Sequence, residues 1–323
     1  MKKAVNKKLI FIGIFLVAVF LILFLISVWD SHQQSSVGTQ NDNVLVYQGN
    51  EYVLKKNIET FLVLGLDKFQ DAPASDSYNN DQQADFLMLF VIDNDAQTIS
   101  ALQINRDTMA DVNVLGLNGN KVSSVTEQIA LAHTYGNGGD VSCRNTADSV
   151  SALLNGMRIH HYISLKMDSV PVFNDLVGGV TLEVLDDFPG EDPDLKKGQT
   201  VTLTGEQALF YVREREGMED SSNLARMKRQ LQYAEALYHQ AKSCMENDEN
   251  FVVDASLQMK DYLVSDRSVT QMQQLANKFS TYTMVKMDSI RGESRVGEKF
   301  MEFYADEDHV QEIVVQLFYE LKD

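Results

Sequence analysis

Ten arginines serve a chain of 323 residues, and four of them, Arg213, Arg215, Arg226 and Arg229, fall in one window, YVREREGMEDSSNLARMKRQ (211–230), with Lys228 among them. The guanidinium fork matches the geometry of phosphate oxygens. From Asn223 the apolar positions 224, 227, 231, 234 and 237 recur with a helical period, and Asn223 or Ser222 supplies an N-cap. Arg226, Gln230 and Tyr233 then share a face. Arg226, Lys228 and Arg229 lie near the positive end of that helix, a placement that costs a few tenths of a kcal/mol per cation. A bound anion would reverse the sign. Arg213 and Arg215, in an extended segment after EQALFYV, would point to one side. The alternative is a solvated network with Glu214, Glu216, Glu219 and Asp220.

A second set of residues closes or opens apolar runs. Asp67 ends TFLVLGLD, Asp85 opens ADFLMLFVID, and Arg106 and Asp107 end TISALQINRD. In open α/β sheets ligands sit outside strand ends. Carboxylates meeting there can hold Mg²⁺, which takes one or two of them together with phosphate and water oxygens. The alternative is that each Asp caps a turn. Other candidates are poorer. His160 and His161 are adjacent, which is wrong spacing for one metal. Cys143 and Cys244 form no ligand pattern, and no P-loop, G-x-S-x-G or G-x-G-x-x-G is present. Lys121 precedes an expected helix and is ordinary by itself.

The elements that must carry these residues alternate. VLVYQGNEYVLKKN (44–57) predicts a hairpin around Gln48–Asn50. The three apolar runs predict strands buried on both faces, two of them joined by the turn NDAQ (94–97). SVTEQIALAHTYG (124–136) predicts a helix ending at Gly136, and NTADSVSALLNG (145–156) one capped by Asn145 or Thr146. HYISLKMD and VTLEVLDD predict strands, and SVPVFNDLVGG a helix. LTGEQALFYV carries a capping-box pattern, Thr204 with Gln207. A helix (269–279), a strand (281–288) and a helix (307–321) follow. The class is α/β, with helices on a mixed sheet.

Composition narrows the partners. Asp and Glu number 46 against 28 Lys and Arg, a formal charge of −18, so nucleic acid is not an expected partner. MKKAVNKK (1–8) carries four lysines, and Leu9–Trp29 is uncharged and long enough to span a bilayer. The expected organisation is a cytoplasmic N-terminus (1–8), a transmembrane signal anchor (9–29), an extracytoplasmic linker with a short hairpin (30–57) and one domain (58–323) outside the membrane.

Taken in order, LGLD, ADFLMLFVID, INRDT, NDLVGGVTLEV, LTGEQALFYVRER and NLARMKRQ resemble the motifs of the LytR-CpsA-Psr (LCP) proteins, cell-envelope phosphotransferases of bacteria. The resemblance runs from about Ile58 to Lys242 and more weakly to the end. It implies a three-layer α/β/α domain with a mixed central sheet and an apolar cleft for a polyprenyl chain. It implies transfer of a glycopolymer phosphate from undecaprenyl pyrophosphate to peptidoglycan, with Mg²⁺. By match of motif, Asp67 and Asp85 are the metal acids. Arg106, Lys121, Arg213, Arg215, Arg226 and Gln230 bind pyrophosphate, and Arg106, Asp107 and Asp85 are catalytic. Gln83 stands where the family often has Arg, Asn223 where it often has Asp, and Asn105 where it has Pro. A lipid pyrophosphatase and a non-catalytic polyprenyl-phosphate-binding envelope protein are the alternative readings.

Overall fold

A computed structural model describes residues 44–68, 80–248, 250–279 and 281–322. The expected anchor and cytoplasmic segment lie outside them. Among the described residues no helix is long and apolar enough to cross a membrane. The chain is mixed α/β with a central sheet, as expected, and it divides into two compact units: 44–162 with 284–322, and 163–283.

The first unit contains the strand-end residues. Its strands are β1 (Val44–Tyr47), β2 (Asn50–Leu54), β3 (Ile58–Lys68), β4 (Gln82–Asp93), β5 (Thr98–Ile104), β6 (Met109–Leu115) and β7 (Lys121–Gln128). After a 3₁₀ turn at Ile129–Thr134 and helix α1 (Asp140–Leu153), the chain leaves the unit through β8 (His161–Lys166). β3, β4 and β5 form a meander with β12 (Thr283–Ser289) beside β5. The apolar runs become these strands because both faces are covered: Leu62, Leu64, Leu87, Leu89 and Leu102 are wholly buried. The expected hairpin forms as β1–β2, with Gln48 and Gly49 at positive φ in its turn.

Two expectations fail in this unit. Residues 124–136 are not a helix. Lys121–Gln128 pairs antiparallel with β6, from Met109↔Gln128 to Leu115↔Lys121. Val122, Val125 and Thr126 are β-branched and favour the pleated surface. Only Ile129–Thr134 coils, and all six of its residues are buried. Helix α1 also begins five residues before the expected Asn145 cap. Asn145 faces inward instead, where its Nδ2 donates to the carbonyls of Asn113 and Ala132, each at 2.9 Å. The polar residue taken for a cap is a buried brace.

The rest of the first unit comes from the chain's end: β13 (Gly292–Val296), β14 (Met301–Ala305), α7 (Glu307–Phe318) and β15 (Tyr319–Leu321), which pairs with β2.

The second unit holds α2 (Ser169–Leu176), β9 (Val180–Glu183), β10 (Thr200–Leu203), α3 (Gly205–Arg213), α4 (Asn223–Asn247), α5 (Phe251–Met259), β11 (Leu263–Ser265) and α6 (Val269–Phe279). β11 pairs antiparallel with residues 163–165 of β8. The capping box of α3 is present in both directions, Gln207 N–H to Thr204 Oγ1 and Thr204 N–H to Gln207 Oε1. Gly178 and Gly179 end α2 at positive φ. A Cβ on Gly179 would stand 2.7 Å from the Thr202 methyl, so the turn into β9 requires glycine there.

Candidate functional site

Arg106 and Asp107 are the two central residues of a β-turn that leaves β5. Asn105 builds this turn twice over. Its carbonyl accepts the Thr108 N–H (3.0 Å) and hydroxyl (2.6 Å), and its side-chain Oδ1 accepts the Asp107 N–H at 2.9 Å, an Asx-turn. The turn's own carbonyls are also taken: Arg106 O by Ala130 N–H and Asp107 O by Phe303 N–H. With its backbone satisfied, the turn presents two charged side chains in fixed directions.

Asp85 reaches Arg106 through a defect in the sheet. The register pairs Gly65 with Phe86 and Leu66 with Ala84, so Asp85 is the extra residue of a β-bulge. Bulges re-aim side chains and recur beside active sites. Asp85 accepts a short hydrogen bond from Arg106 Nη1. Arg106 Nη2 donates to Gln83 Oε1 at 2.8 Å, and Nε lies 3.4 Å from Asp107 Oδ1. Gln128 donates to the same Asp107 oxygen at 3.0 Å and to Met301 O at 2.8 Å. The Arg106 and Asp85 side chains are only 11% and 7% exposed. Removing one member of such a desolvated pair strands the other. Gln83 has a definite part here: its amide oxygen accepts from Arg106, which an arginine at that position could not do.

Asp67 closes β3 opposite Gln83, on the strand adjacent to Asp85. The donors offered by β3 and β4 are thus carboxylate oxygens on neighbouring strands, chemistry that suits a hard cation completing its shell with phosphate and water. Among the described residues no group of three or more His, Cys, Asp or Glu is placed to bind a metal. Asp67 and Asp85 are oxygen donors of the kind Mg²⁺ takes, and among the described residues they are not part of an all-protein cage.

In the second unit, α4 begins at the expected place with Ser222 as N-cap, its hydroxyl accepting the Ala225 N–H. Arg226 is 2% exposed, and its Nη2 donates to Asn223 Oδ1 at 2.6 Å. Arg229 is wholly buried and has a structural task. Its Nε donates to Tyr211 O at 2.9 Å, Nη1 to Asp186 at 2.7 Å and Nη2 to Glu214 O, and the guanidinium lies over the Phe188 ring. Gln230 Nε2 donates to Val212 O at 3.0 Å. These carbonyls belong to or adjoin the last turn of α3, whose end otherwise lacks partners. A cation there also suits the negative end of the α3 dipole. For Arg229 the expected conflict with its own helix is therefore resolved by the neighbouring helix, without an anion. Arg213 is the last residue of α3 and not part of an extended segment; Arg215 lies in the loop beyond the extended Glu214.

Lys121 does not join Arg106. It pairs with Leu115 at the far end of the β6–β7 hairpin, six residue steps from the Met109↔Gln128 pair, or about 20 Å of strand. Cys143 and Cys244 form no disulfide. His133 donates from Nδ1 to Gln82 O at 3.0 Å, and burial lowers its pKa to about 4. The neutral ring therefore turns Nε2, an acceptor, toward Cys143 Sγ at 3.8 Å. With both residues wholly buried, this is a thiol against a neutral imidazole and not an activated nucleophile. His160 meets Thr60 through Nδ1 at 2.8 Å and serves structure.

Gln128 and Asn105 are the residues sequence reasoning overlooked as parts of the site. Asn105 carried a signal, since Asn two residues before Asp107 is the Asx-turn pattern. Gln128 carried none, because its role depends on β7 pairing with β6.

The chain is similar to several known proteins. A LytR_cpsA_psr family model matches residues 23–318. The polyisoprenyl-teichoic acid–peptidoglycan teichoic acid transferase TagU of Halalkalibacterium halodurans is 28% identical over 182 residues, 56% of this chain and 53% of that protein. Cell wall biosynthesis protein LcpA of Corynebacterium glutamicum is 25% identical over 257 residues, 73% of this chain and 49% of that protein. The chain thus matches about half the length of these curated relatives. The crystal structure of B. subtilis TagV superposes with a TM-score of 0.60 at 23% identity, covering 82% of this chain and 97% of that one. TagT bound to LIIa-WTA gives a TM-score of 0.58 at 23% identity over 81% and 90%. These structural likenesses concern the fold, whereas the family match spans most of the chain: the protein belongs to the LytR_cpsA_psr family.

Proposed function

We propose that this protein transfers a phosphate-linked glycopolymer from a polyprenyl-pyrophosphate donor to a hydroxyl of peptidoglycan, outside the membrane to which Leu9–Trp29 anchors it. The observation that carries the reading is Arg106, held with only 11% of its side chain exposed between the bulged Asp85 and the turn partner Asp107. Relatives named as teichoic acid transferases support the reaction class.

In this reading Arg106 binds the pyrophosphate, oriented by Asp85 and Gln83. Arg213, Arg215 and Arg226 are further phosphate ligands. Gln230 acts through its bond to α3. Asp67 and Asp85 would hold Mg²⁺, which supplies charge neutralisation at the pyrophosphate when bound. The acceptor oxygen attacks the polymer-bearing phosphorus, the bond from that phosphorus to the lipid phosphate oxygen breaks, and the lipid phosphate leaves with the electron pair. Asp107 takes the hydroxyl proton, its carboxylate steered by Gln128. Phosphoryl transfer of this kind is mainly positioning and charge stabilisation, the work these residues are arranged to do.

The test supplies the protein with lipid-linked polymer and wall acceptor and measures covalently attached polymer phosphate. Attachment is expected. Phosphate release with no attachment would point to a pyrophosphatase, and binding without turnover to a non-catalytic lipid-phosphate binder. Protease sensitivity of residues 58–323 on intact cells tests the topology.

A further inference from the structure

A cavity lies in the first unit, outside the charged cluster. Its volume is about 650 Å³, within the range of ligand pockets. Three walls form it: the β6–β7 hairpin, the end of α1 and the junction of β14 with α7. Two of these walls continue the segments that bracket Asp107. β6 starts immediately after the Asn105–Thr108 turn, and Tyr304 on β14 follows Phe303, whose N–H holds the Asp107 carbonyl.

The lining is selective. It offers the Tyr304 ring, the Thr126 hydroxyl, the Asn155 amide and the carboxylates of Asp111, Glu307 and Asp308. Among the described residues that line it there is no Lys, Arg or His. Such a cavity repels phosphate and accepts hydrogen bonds from hydroxyl or amide N–H groups. The Tyr304 ring is pinned as a platform: its hydroxyl donates to Glu302 at 2.7 Å, and the Arg295 guanidinium lies 4.9 Å from the ring centre. Asn155 is steadied by its bond to Gln311 at 2.9 Å, and Asp111 by the Thr126 hydroxyl at 3.1 Å. A ring-stacking face beside fixed hydrogen-bond acceptors is suited to a sugar and not to a lipid tail.

A group transfer of this class needs two substrates of opposite character. The donor is a pyrophosphate and requires the arginines. The acceptor presents a hydroxyl on an uncharged sugar. We infer that the cavity between β6–β7, α1 and the β14–α7 junction is the subsite for the acceptor glycan, on the Asp107 side of the catalytic turn. The assignment rests on the transfer reading above.

The test is calorimetric titration of the full-length protein in detergent with an uncharged oligomer of N-acetylated amino sugars, and separately with inorganic pyrophosphate. The wild type should bind both. Asp111→Asn and Tyr304→Ala should each weaken the oligomer at least ten-fold and leave pyrophosphate unchanged. Arg106→Ala should do the reverse. Asp111→Asn keeps shape at an exposed position of β6, so it decides the matter if Tyr304→Ala does not fold. A wild type that does not bind the oligomer, or an Asp111→Asn variant with unaltered affinity, overturns the assignment even where polymer transfer is present. Oligomer binding lost in the cavity variants, in a protein with no transfer activity, supports the glycan subsite and overturns the transfer reading alone.

Discussion

Arg106, largely shielded, and Arg229, wholly buried, are two guanidiniums, each bound to an aspartate, in different regions of the chain. Arg229 has no exposed surface and spends its donors on two backbone carbonyls and Asp186, at the end of a helix that needs them. Arg106 spends its donors on side chains alone, from a turn whose backbone is already satisfied. Carbonyl partners cannot leave without unravelling α3. Side-chain partners can rotate, be replaced by phosphate oxygens or share with them. Burial and ion pairing therefore do not separate scaffold from site, but the identity of the acceptors does.

The comparison can be broken most forcefully at Arg229. Arg229→Ala should cost about 3–5 kcal/mol of stability, because it strands Asp186 and two carbonyls. Urea unfolding would measure this, and transfer per folded molecule should persist; a variant that is stable but inactive would erase the distinction. Arg106→Ala should instead lower the transfer rate by about 100- to 1000-fold, read from polymer attachment, with Arg106→Lys failing to restore it since a single ammonium cannot serve Asp85, Gln83 and phosphate together. An intermediate effect comes from pH. His133 has its pKa lowered by burial from 6.5 to about 4. The unfolded state therefore binds the extra proton first, so stability is complete above pH 6.5 and declines as pH falls towards 4, by roughly 3 kcal/mol in all. A flat urea midpoint between pH 7 and 5 would contradict this. The smallest effect belongs to the opposite end of the helix that Arg229 supports: Thr204→Ala should cost about 1 kcal/mol through the lost cap, visible as a modest drop in Tm. A loss as large as that of Arg229→Ala would mean that α3 depends on both ends equally.

The parts legible in the sequence were those governed by near neighbours. The apolar runs became β3, β4 and β5 because short runs rich in Leu, Val, Ile and Phe suit strands covered on both faces. The Thr204–Gln207 box works over three residues and needs no partner. The parts not legible depend on distant segments. Residues 121–128 became a strand because β6 lies alongside, and the bulge at Asp85 exists only relative to the register of β3. The arginine window was visible as a cluster, yet only the folded chain separates Arg229 and Gln230, which hold the end of α3, from Arg226. Asn105 and Asn223 read as departures from a motif; in the structure each is an acceptor with a definite donor, the Asp107 N–H and the Arg226 guanidinium.

The support under Asp107 has a temporal consequence. Gln128 is braced by Met301 O, Asp107 O by Phe303 N–H, and β2 is joined by β15 at residues 319–321. Segments separated by well over a hundred residues must meet before the turn carrying Arg106 and Asp107 is rigid, and such non-local closure is slow. A chain emerging from its N-terminal end would thus show its pair of charged side chains early but hold them loosely. The pair would become an organised centre only after β14 had been made and had docked beside the turn, so that the arrival of residues 301–305 sets the moment at which the centre is rigid.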